Sequence, residues 1–238
     1  MISRKFTIWA CGLLFVFGSC AEDMVKPIEN DKDAPGTVQD VKTESLPGAV
    51  KFTYTLPSDP DLLYVLAKYT NKTGKVMEFR SSFYTNSVTV EGFGDTDTYK
   101  VELYTVDRSE NRSQPQIVEV VPLTPPILSC YESLSMVSDF GGMTFEMDNK
   151  FKSDLAIYVC TPDELGDMVL AETFYSAREE IVYSVRGYDA VPRRFGIFLQ
   201  DKYGNETDTL FTELTPIYER EFCLLYTSPS PRDGLLSR

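Results

Sequence analysis

The amino-acid sequence predicts an all-β protein built from two β-sandwiches in tandem. From Tyr99 to Val106, apolar and polar residues alternate with period two, which is typical of a strand that buries one face. The stretch 195–199 repeats this alternation in the second half of the chain. Each stretch leads into a polar turn of the same form, Asp107-Arg-x-x-Asn-x-Ser or Asp201-Lys-x-x-Asn-x-Thr. A strand and a turn that occur twice indicate one module used twice.

The first sandwich is predicted over residues 36–123, with about seven strands at regular spacing. Turn residues separate the strands, as in Leu46–Gly48, Pro57–Pro60 and the hairpin turn Asn71–Gly74. The apolar rows of these strands are expected to face the core: Val50, Phe52, Tyr54, Leu63, Val65, Ala67, Tyr69, Val88, Val90, Val101 and Leu103.

The second sandwich is predicted over residues 128–222, after the short linker Pro122–Pro126. Proline fixes φ, so this linker is expected to restrict the angle between the sandwiches. A strand is predicted over Tyr131–Val137. The later apolar rows are expected to face the core: Met143, Phe145, Met147, Leu155, Ile157, Val159, Ile181, Val185, Phe195, Ile197 and Leu199.

The strand and turn around Tyr99 resemble the F strand and following turn of a fibronectin type III domain. Tyr99 falls where that sandwich keeps its corner tyrosine. Phe52 or Tyr54 stands where such domains usually place a tryptophan, and Arg193 falls on the corner position of the second half. The resemblance implies a fibronectin type III/immunoglobulin-like sandwich in each half.

The N-terminal residues 1–19 are predicted to be a secretory signal peptide. Arg4 and Lys5 precede a mostly apolar run that is too short to span a membrane. Small residues directly before Cys20 resemble a lipoprotein processing site, at which the Cys20 thiol would be lipidated. An ordinary signal peptide cut nearby is the alternative. Residues 20–35 are acidic and Pro-bounded, and they are expected to form a flexible tether.

The residues after Cys20 bear on location. Glu22 and Asp23 follow it closely and resemble the surface-export signal of Bacteroidetes-type lipoproteins. Acyl chains on Cys20 would then anchor the protein in the outer membrane, with the chain at the cell surface. A lipoprotein that faces the periplasm is the alternative.

The C-terminal residues 223–238, CLLYTSPSPRDGLLSR, resemble the translation of a sequencing-library adapter. They are therefore interpreted as an artefact tail and excluded from the fold. A genuine Ser/Pro-rich tail is the alternative. On the adapter interpretation, the natural gene is expected to continue past Phe222.

Charge and composition exclude several classes of function. The full chain has 23 basic and 36 acidic residues and a net charge of −13. The predicted signal and tail hold four of the basic residues and one of the acidic ones, so the net charge without them is −16. Such a surface repels phosphate backbones, so no nucleic-acid partner is expected. The chain has no histidine, the commonest general base and metal ligand. No catalytic motif is present, so no enzyme activity and no cofactor are predicted.

Two cysteines, Cys130 and Cys160, remain inside the predicted sandwiches. Both stand beside apolar residues, which favours free buried thiols; a disulfide between them stays open, because an extracytoplasmic compartment permits one.

Aromatic side chains are the candidate ligand-facing residues, because sugars bind flat exposed rings. The candidates are Tyr64, Tyr104, Phe83, Tyr84, Phe174 and Tyr175. Tyr64 and Tyr104 occupy positions predicted to face outward. Packing of these rings against a neighbouring domain is the alternative.

Four segments together closely resemble a family of Bacteroidetes-type cell-surface lipoproteins of unassigned function: KPIENDKDAPG, LPGAVKFTYTLPSDPDLLYV, YTNSVTVEGFGDTDTYKVELYTVDRSEN and DLAIYVCTPDELG. The resemblance implies tandem fibronectin-type domains, normally followed by a discoidin-like C-terminal domain, in polysaccharide-utilisation systems with outer-membrane importers. It implies a non-catalytic spacer or scaffold for glycan capture. The alternatives are sandwiches that bind glycan or a partner protein directly, and an accessory part of an enzyme whose catalytic domain is missing.

Overall fold

The computed structural model describes residues 32–218. They form two β-sandwiches joined by a short helix, which confirms the predicted fold class. The predicted signal peptide, Cys20, most of the tether and the tail lie outside the described residues. None of the helices among residues 32–218 has the length and apolarity needed to cross a membrane.

The first sandwich contains strands β1 to β7. The three-stranded sheet has the order β1-β2-β5, and the four-stranded sheet has the order β4-β3-β6-β7, with every pairing antiparallel. The strands are β1 Gln39–Leu46, β2 Ala49–Thr55, β3 Leu62–Thr70, β4 Val76–Ser82, β5 Ser87–Glu91, β6 Tyr99–Asp107 and β7 Gln116–Val120.

The second sandwich repeats this arrangement strand for strand. Its sheets have the orders β8-β9-β12 and β11-β10-β13-β14. The elements are α1 Pro126–Ser133, β8 Ser135–Asp139, β9 Gly142–Asp148, β10 Leu155–Pro162, β11 Met168–Ser176, β12 Glu180–Arg186, β13 Arg193–Asp201 and β14 Leu210–Leu214. Identical strand order in both halves is what a module used twice requires.

Each sandwich has its own core, formed by the inward rows of both sheets. Phe52 and Tyr54 on β2 and Phe145 on β9 are buried, as predicted. The prediction for Leu63 is wrong: Leu62 is buried instead, and Leu63 is half-buried. The pairing of β3 with β6 shifts register between Leu62 and Tyr64, and such an irregularity re-aims the side chains beside it.

The strand predicted over Tyr131–Val137 is also wrong at its start, because helix α1 covers 126–133 and β8 begins only at Ser135. Pro126 stands in the first turn of the helix, where its missing N–H costs nothing. So short a helix is marginal alone. It is held by burial of Ile127 and Cys130 in the second core, a contact that sequence periodicity does not reveal.

The corner position differs between the two sandwiches. The Tyr99 hydroxyl donates to Asp95 Oδ1 at 3.1 Å, and burial, reinforced by that carboxylate, raises the pKa of Tyr99 to about 12. At the equivalent start of β13, Arg193 donates to the Pro162 carbonyl at 2.8 Å and lies 4.9 Å from the centroid of the Tyr188 ring. In the second sandwich, the Arg193 guanidinium, hydrogen-bonded to the neighbouring strand β10, thus occupies the position of the corner tyrosine.

Candidate functional site at the junction of the two sandwiches

The repeated sequence motif forms the same turn twice, the β6–β7 turn (residues 107–113) and the β13–β14 turn (residues 201–207). In each, the Asp Oδ1 accepts from the backbone amides two and four residues later, at 2.8 and 2.9 Å for Asp107 and at 2.9 Å for both in Asp201. The side-chain amide of Asn111 or Asn205 donates to the second carboxylate oxygen, at 2.9 and 2.8 Å. Charged acceptors make these bonds strong, so both turns are rigid.

The β13–β14 turn docks on the first sandwich. The Asn205 side-chain amide donates to the Gly92 carbonyl at 3.1 Å, and Asn205 is only 6% exposed. The Tyr203 hydroxyl donates to the Glu91 carboxylate. Burial, followed by this bond to Glu91, raises the pKa of Tyr203 above its ordinary value. Within the part of the chain that the structure describes, two directional hydrogen bonds therefore join the sandwiches besides the covalent linker.

Glycines on the first sandwich make this contact close. Gly92 has φ +86°, and a Cβ built on it would lie 2.8 Å from Cγ of Tyr203. A Cβ on Gly94 would lie 2.7 Å from Oδ1 of Asn205. The sequence Gly92-Phe-Gly94 therefore serves both a backbone conformation and the approach of another domain.

Helix α1 completes the junction from the second sandwich. Its Cys130 Sγ donates to Asn149 Oδ1 at 3.6 Å, and Asn149 is fully buried. The Asn149 side chain also accepts from the Ser153 amide at 2.9 Å and so closes the loop after β9. A cavity of about 320 Å³ lies between this loop, the β13–β14 turn, Pro47–Ala49 and Glu91–Phe93.

The candidate aromatics of the first sandwich are distributed over one face and one turn. Tyr64 and Tyr104 face outward, as predicted, but both are half-buried beside Leu66, which is fully buried on that face. Their hydroxyls donate to Glu110 at 3.1 Å and to Glu102 at 2.7 Å. Phe83 and Tyr84 lie together in the turn after β4, with ring centroids 4.0 Å apart.

The candidate aromatics of the second sandwich, Phe174 and Tyr175, lie on opposite faces of β11. Phe174 faces the core and stacks on Tyr183, with ring centroids 4.6 Å apart. Tyr175 is 73% exposed on the outer face. On the same face, the Tyr158 and Phe198 rings stack 4.7 Å apart, a pair that sequence reasoning did not single out. The period-two pattern of β10 and β13 could have shown it.

The described residues hold no cluster of three or more potential metal ligands. Cys130 and Cys160 are free thiols, which confirms the favoured interpretation, although Cys160 is half-buried. Burial, followed by the nearby Asp148, raises the pKa of Cys130 to about 11. Thiols held protonated in this way are poor nucleophiles.

Comparison with known proteins gives matches to two consecutive family models and to several solved structures. No curated protein matches the chain. It is similar to a solved structure named SusE-like protein BT2857, with 28% identity, a TM-score of 0.35, and coverage of 40% of this chain and 32% of that chain. This chain therefore spans about a third of the length of the SusE-like protein.

Two avian structures also align over a larger share of the chain. A two fibronectin type III domain segment from chicken tenascin aligns at 12% identity over 76% of this chain and 99% of that one, with a TM-score of 0.36. The chicken interferon gamma receptor alpha chain aligns at 10% identity over 77% and 100%, with a TM-score of 0.29. Residues 35–122 match the family model described as Domain of unknown function (DUF4959), and residues 123–223 match the one described as Domain of unknown function (DUF5126).

Proposed function

We propose that this chain is a non-catalytic spacer of the cell surface, anchored through lipid on Cys20, that serves glycan capture and import in a polysaccharide-utilisation system. In this proposal two domains, residues 36–123 and 128–222, hold a ligand-binding partner or module at a fixed distance from the membrane. The setting, beside an outer-membrane importer, comes from the resemblance of the sequence to surface lipoproteins of such systems.

The observation that carries the proposal is the docked β13–β14 turn. Relative motion between neighbouring domains is the default expectation. Directional contacts together with a short proline-stiffened linker restrict that motion. Here Asn205 is buried against Gly92, Tyr203 bonds to Glu91, and the Pro125-Pro126 pair leads straight into α1. A spacer needs such stiffness, because two domains joined by a free hinge would not fix the position of the ligand-binding partner or module that they hold.

The test is small-angle X-ray scattering of the purified protein and of Tyr203→Ala. The unsubstituted protein should give one maximum dimension, independent of salt, and Tyr203→Ala should broaden the distance distribution. Tyr84→Ala, an exposed tyrosine of the first sandwich, is the matched control and should leave the curve unchanged. A broad distribution in the unsubstituted protein would refute the spacer proposal.

A second candidate function is direct glycan binding by the outer face of the second sandwich. The exposed Tyr175 ring adjoins an open groove of about 590 Å³, lined also by Tyr158 and Gln200. Rings beside an amide suit a neutral pyranose, which needs both stacking and hydrogen bonds. Glycan-array binding that Tyr175→Ala abolishes and Tyr84→Ala preserves would support this candidate, and absence of any binding would remove it.

A further inference from the structure

We infer that the cavity of about 320 Å³ between the two sandwiches, the junction cavity, binds a small zwitterion with an apolar side chain, the chemistry of a free α-amino acid. The bound ligand contacts both sandwiches and holds them in the docked arrangement. The binding site stands independently of the proposed spacer function. The second part of the inference, a spacer that its ligand stiffens, rests on that function.

The junction cavity lies away from both ends of the described chain. Asp33 lies beside the β6–β7 turn, at the opposite end of the first sandwich, where Asn111 donates to its carbonyl at 3.4 Å. Ile217 lies at the far end of the second sandwich, where the Gly141 amide donates to its carbonyl at 2.8 Å. Small-molecule sites are frequent at domain interfaces and usually measure roughly 300–1,000 Å³. The junction cavity is at the lower end of this range, which suits a molecule as small as one amino acid.

Both sandwiches supply apolar walls to the junction cavity. The apolar lining residues are Pro47, Ala49 and Phe93 on one side and Pro126, Ile127 and Phe151 on the other. Among the described residues that line the cavity, two carry a hydroxyl group, Ser153 and Tyr203, and the Tyr203 hydroxyl already bonds to Glu91. A neutral sugar needs several polar groups around it, so these walls suit an apolar side chain better.

A locked loop holds the Phe151 ring at the cavity. The fully buried Asn149 side chain accepts from the Ser153 amide and donates to the Ser153 carbonyl, both at 2.9 Å. The Lys152 amide donates to the Asn149 carbonyl at 2.9 Å, and Lys152 has φ +51°, a strained conformation for a residue with a side chain. Phe151 is 52% exposed in this loop. An apolar ring is thus kept in contact with water beside a cavity, where a bound ligand would cover it.

Two opposite charges stand at the opening of the junction cavity, the Lys202 ammonium and the Asp154 carboxylate. Both residues also line the open groove of about 590 Å³ on the outer face, so they lie where the cavity and the groove meet. Neither makes an ion pair within residues 32–218. The Lys202 ammonium lies 5.0 Å from the centroid of the Tyr203 ring, a contact that keeps it beside the cavity.

The other charged side chains of the lining are already paired. The Glu91 carboxylate accepts from Tyr203, and the Asp201 carboxylate accepts three N–H groups of its own turn. The Lys152 ammonium lies 3.2 Å from the Glu179 carboxylate. The ammonium and the carboxylate that are left match the carboxylate and the ammonium of one amino acid, because each charge of the ligand then gains a partner of opposite sign.

The position of the cavity couples binding to docking. Because its walls belong to different sandwiches, the cavity exists only in the docked arrangement. A ligand that binds only this arrangement lowers the undocked population by a factor of 1 + [L]/Kd, which is about elevenfold at ten times the Kd. The junction is then stiffer with the ligand than without it, which adds regulation to the proposed spacer.

The experiment measures the binding of related probes by isothermal titration calorimetry at about pH 6, where their amines are protonated and their carboxylates ionised. Phenylalanine carries both charges, phenylalanine amide the ammonium alone and N-acetylphenylalanine the carboxylate alone. Phenylalanine should bind at least about tenfold more tightly than either analogue. Absence of phenylalanine binding at about 10 mM would overturn the inference, as would equal affinities for the three probes. Displacement of phenylalanine by glucose would show a sugar site and would overturn it too.

Two substitutions assign the ligand charges to their partners. Lys202→Met should weaken phenylalanine binding about tenfold and leave that of phenylalanine amide, which lacks the carboxylate, within about twofold. Asp154→Asn should weaken phenylalanine binding equally and leave that of N-acetylphenylalanine unchanged. Lys150→Met is the matched control, because Lys150 is exposed in the same loop but does not line the cavity, and it should change neither. Equal losses for all probes in either variant would contradict the assignment.

Limited proteolysis of the linker after β7 tests the coupling of binding to docking. Phenylalanine at about ten times its Kd should slow cleavage about elevenfold, and the same concentration should slow cleavage of Asp154→Asn only about twofold. Unchanged cleavage of the ligand-bound protein would overturn the second part of the inference. Scattering from the ligand-free protein tests the spacer proposal separately, so the two failures are distinguishable.

Discussion

Replacement of Gly92 by alanine tests the junction most directly, because the chain supplies its own control at Gly187. Both glycines follow the last strand of a three-stranded sheet with positive φ, so alanine at either one costs about 1–2 kcal/mol of backbone strain. No described residue lies within 4 Å of the new methyl group at Gly187, whereas at Gly92 that group would lie 2.8 Å from Cγ of Tyr203 in the other sandwich. The difference between the two variants therefore isolates the docking of the second sandwich.

The magnitude is set by the bond that the Tyr203 ring must give up. Carbon atoms pack at about 3.5–4.0 Å, so the ring has to move by roughly 1 Å. The shift breaks the hydrogen bond to the Glu91 carboxylate, and a bond to a charged acceptor contributes about 1.5–3 kcal/mol. Glu91 is half-buried, which favours the lower half of that range. The undocked population should rise by roughly 10- to 45-fold over that in Gly187→Ala.

Limited proteolysis of the linker after β7 provides the assay. Cleavage there follows the population of the undocked form when docking is fast relative to cleavage. Gly92→Ala should therefore be cut much faster than Gly187→Ala, while circular dichroism keeps the same β signature for both. Equal cleavage rates would refute the reasoning, because they would mean that Tyr203 contributes nothing to holding the sandwiches together.

Three further predictions concern buried groups. Tyr54→Phe should leave the free energy of unfolding unchanged or raise it slightly, because the buried Tyr54 hydroxyl finds no hydrogen-bond partner among residues 32–218. Tyr69→Phe loses a 2.8 Å bond to the Glu91 carbonyl and should cost about 1 kcal/mol; urea denaturation measures both. In native protein at pH 8, iodoacetamide should label Cys160 before Cys130, as read by peptide mass spectrometry, since Cys130 is 1% exposed with its pKa raised to about 11; Cys130 labelled first would contradict this. Burial raises the pKa of Tyr203 in the folded state, so its contribution to stability is complete below pH 10 and declines as the pH rises further; Tyr203→Phe should flatten that part of the stability profile.

Local patterns explain why most strands could be predicted. Side-chain alternation in β2, β6, β9 and β10 shows which face of each strand is buried. Once one face is buried, few registers of strand pairing remain possible, because a shift by one residue would expose the apolar row. The Asp-x-x-x-Asn turns were recognised because every bond that defines them lies within four residues. The failures occurred where a distant contact decides the outcome: the register shift at Leu62, and α1, which is helical because Ile127 and Cys130 reach the second core.

The candidate functional residues were also predicted in part, and again the contacts between distant residues were missed. Sequence alternation predicted outer faces for Tyr64 and Tyr104 alone. Of the two candidate rings named on β11 without a predicted face, Tyr175 is exposed, whereas Phe174 pairs with Ile157 and faces the core. The junction could not be predicted from a single sequence. Nothing local in Gly92-Phe-Gly94 indicates that a ring and an amide from residues 203 and 205 will lie against it.

The sequence by itself determined that the chain is two like β modules in series, because side-chain alternation and turn chemistry act between residues near each other in the chain. Only the tertiary structure decided how the modules meet, since Tyr203 and Asn205 find Glu91 and Gly92 across more than a hundred residues. Such a contact depends on shape and hydrogen-bond geometry that exist only after both sandwiches have folded.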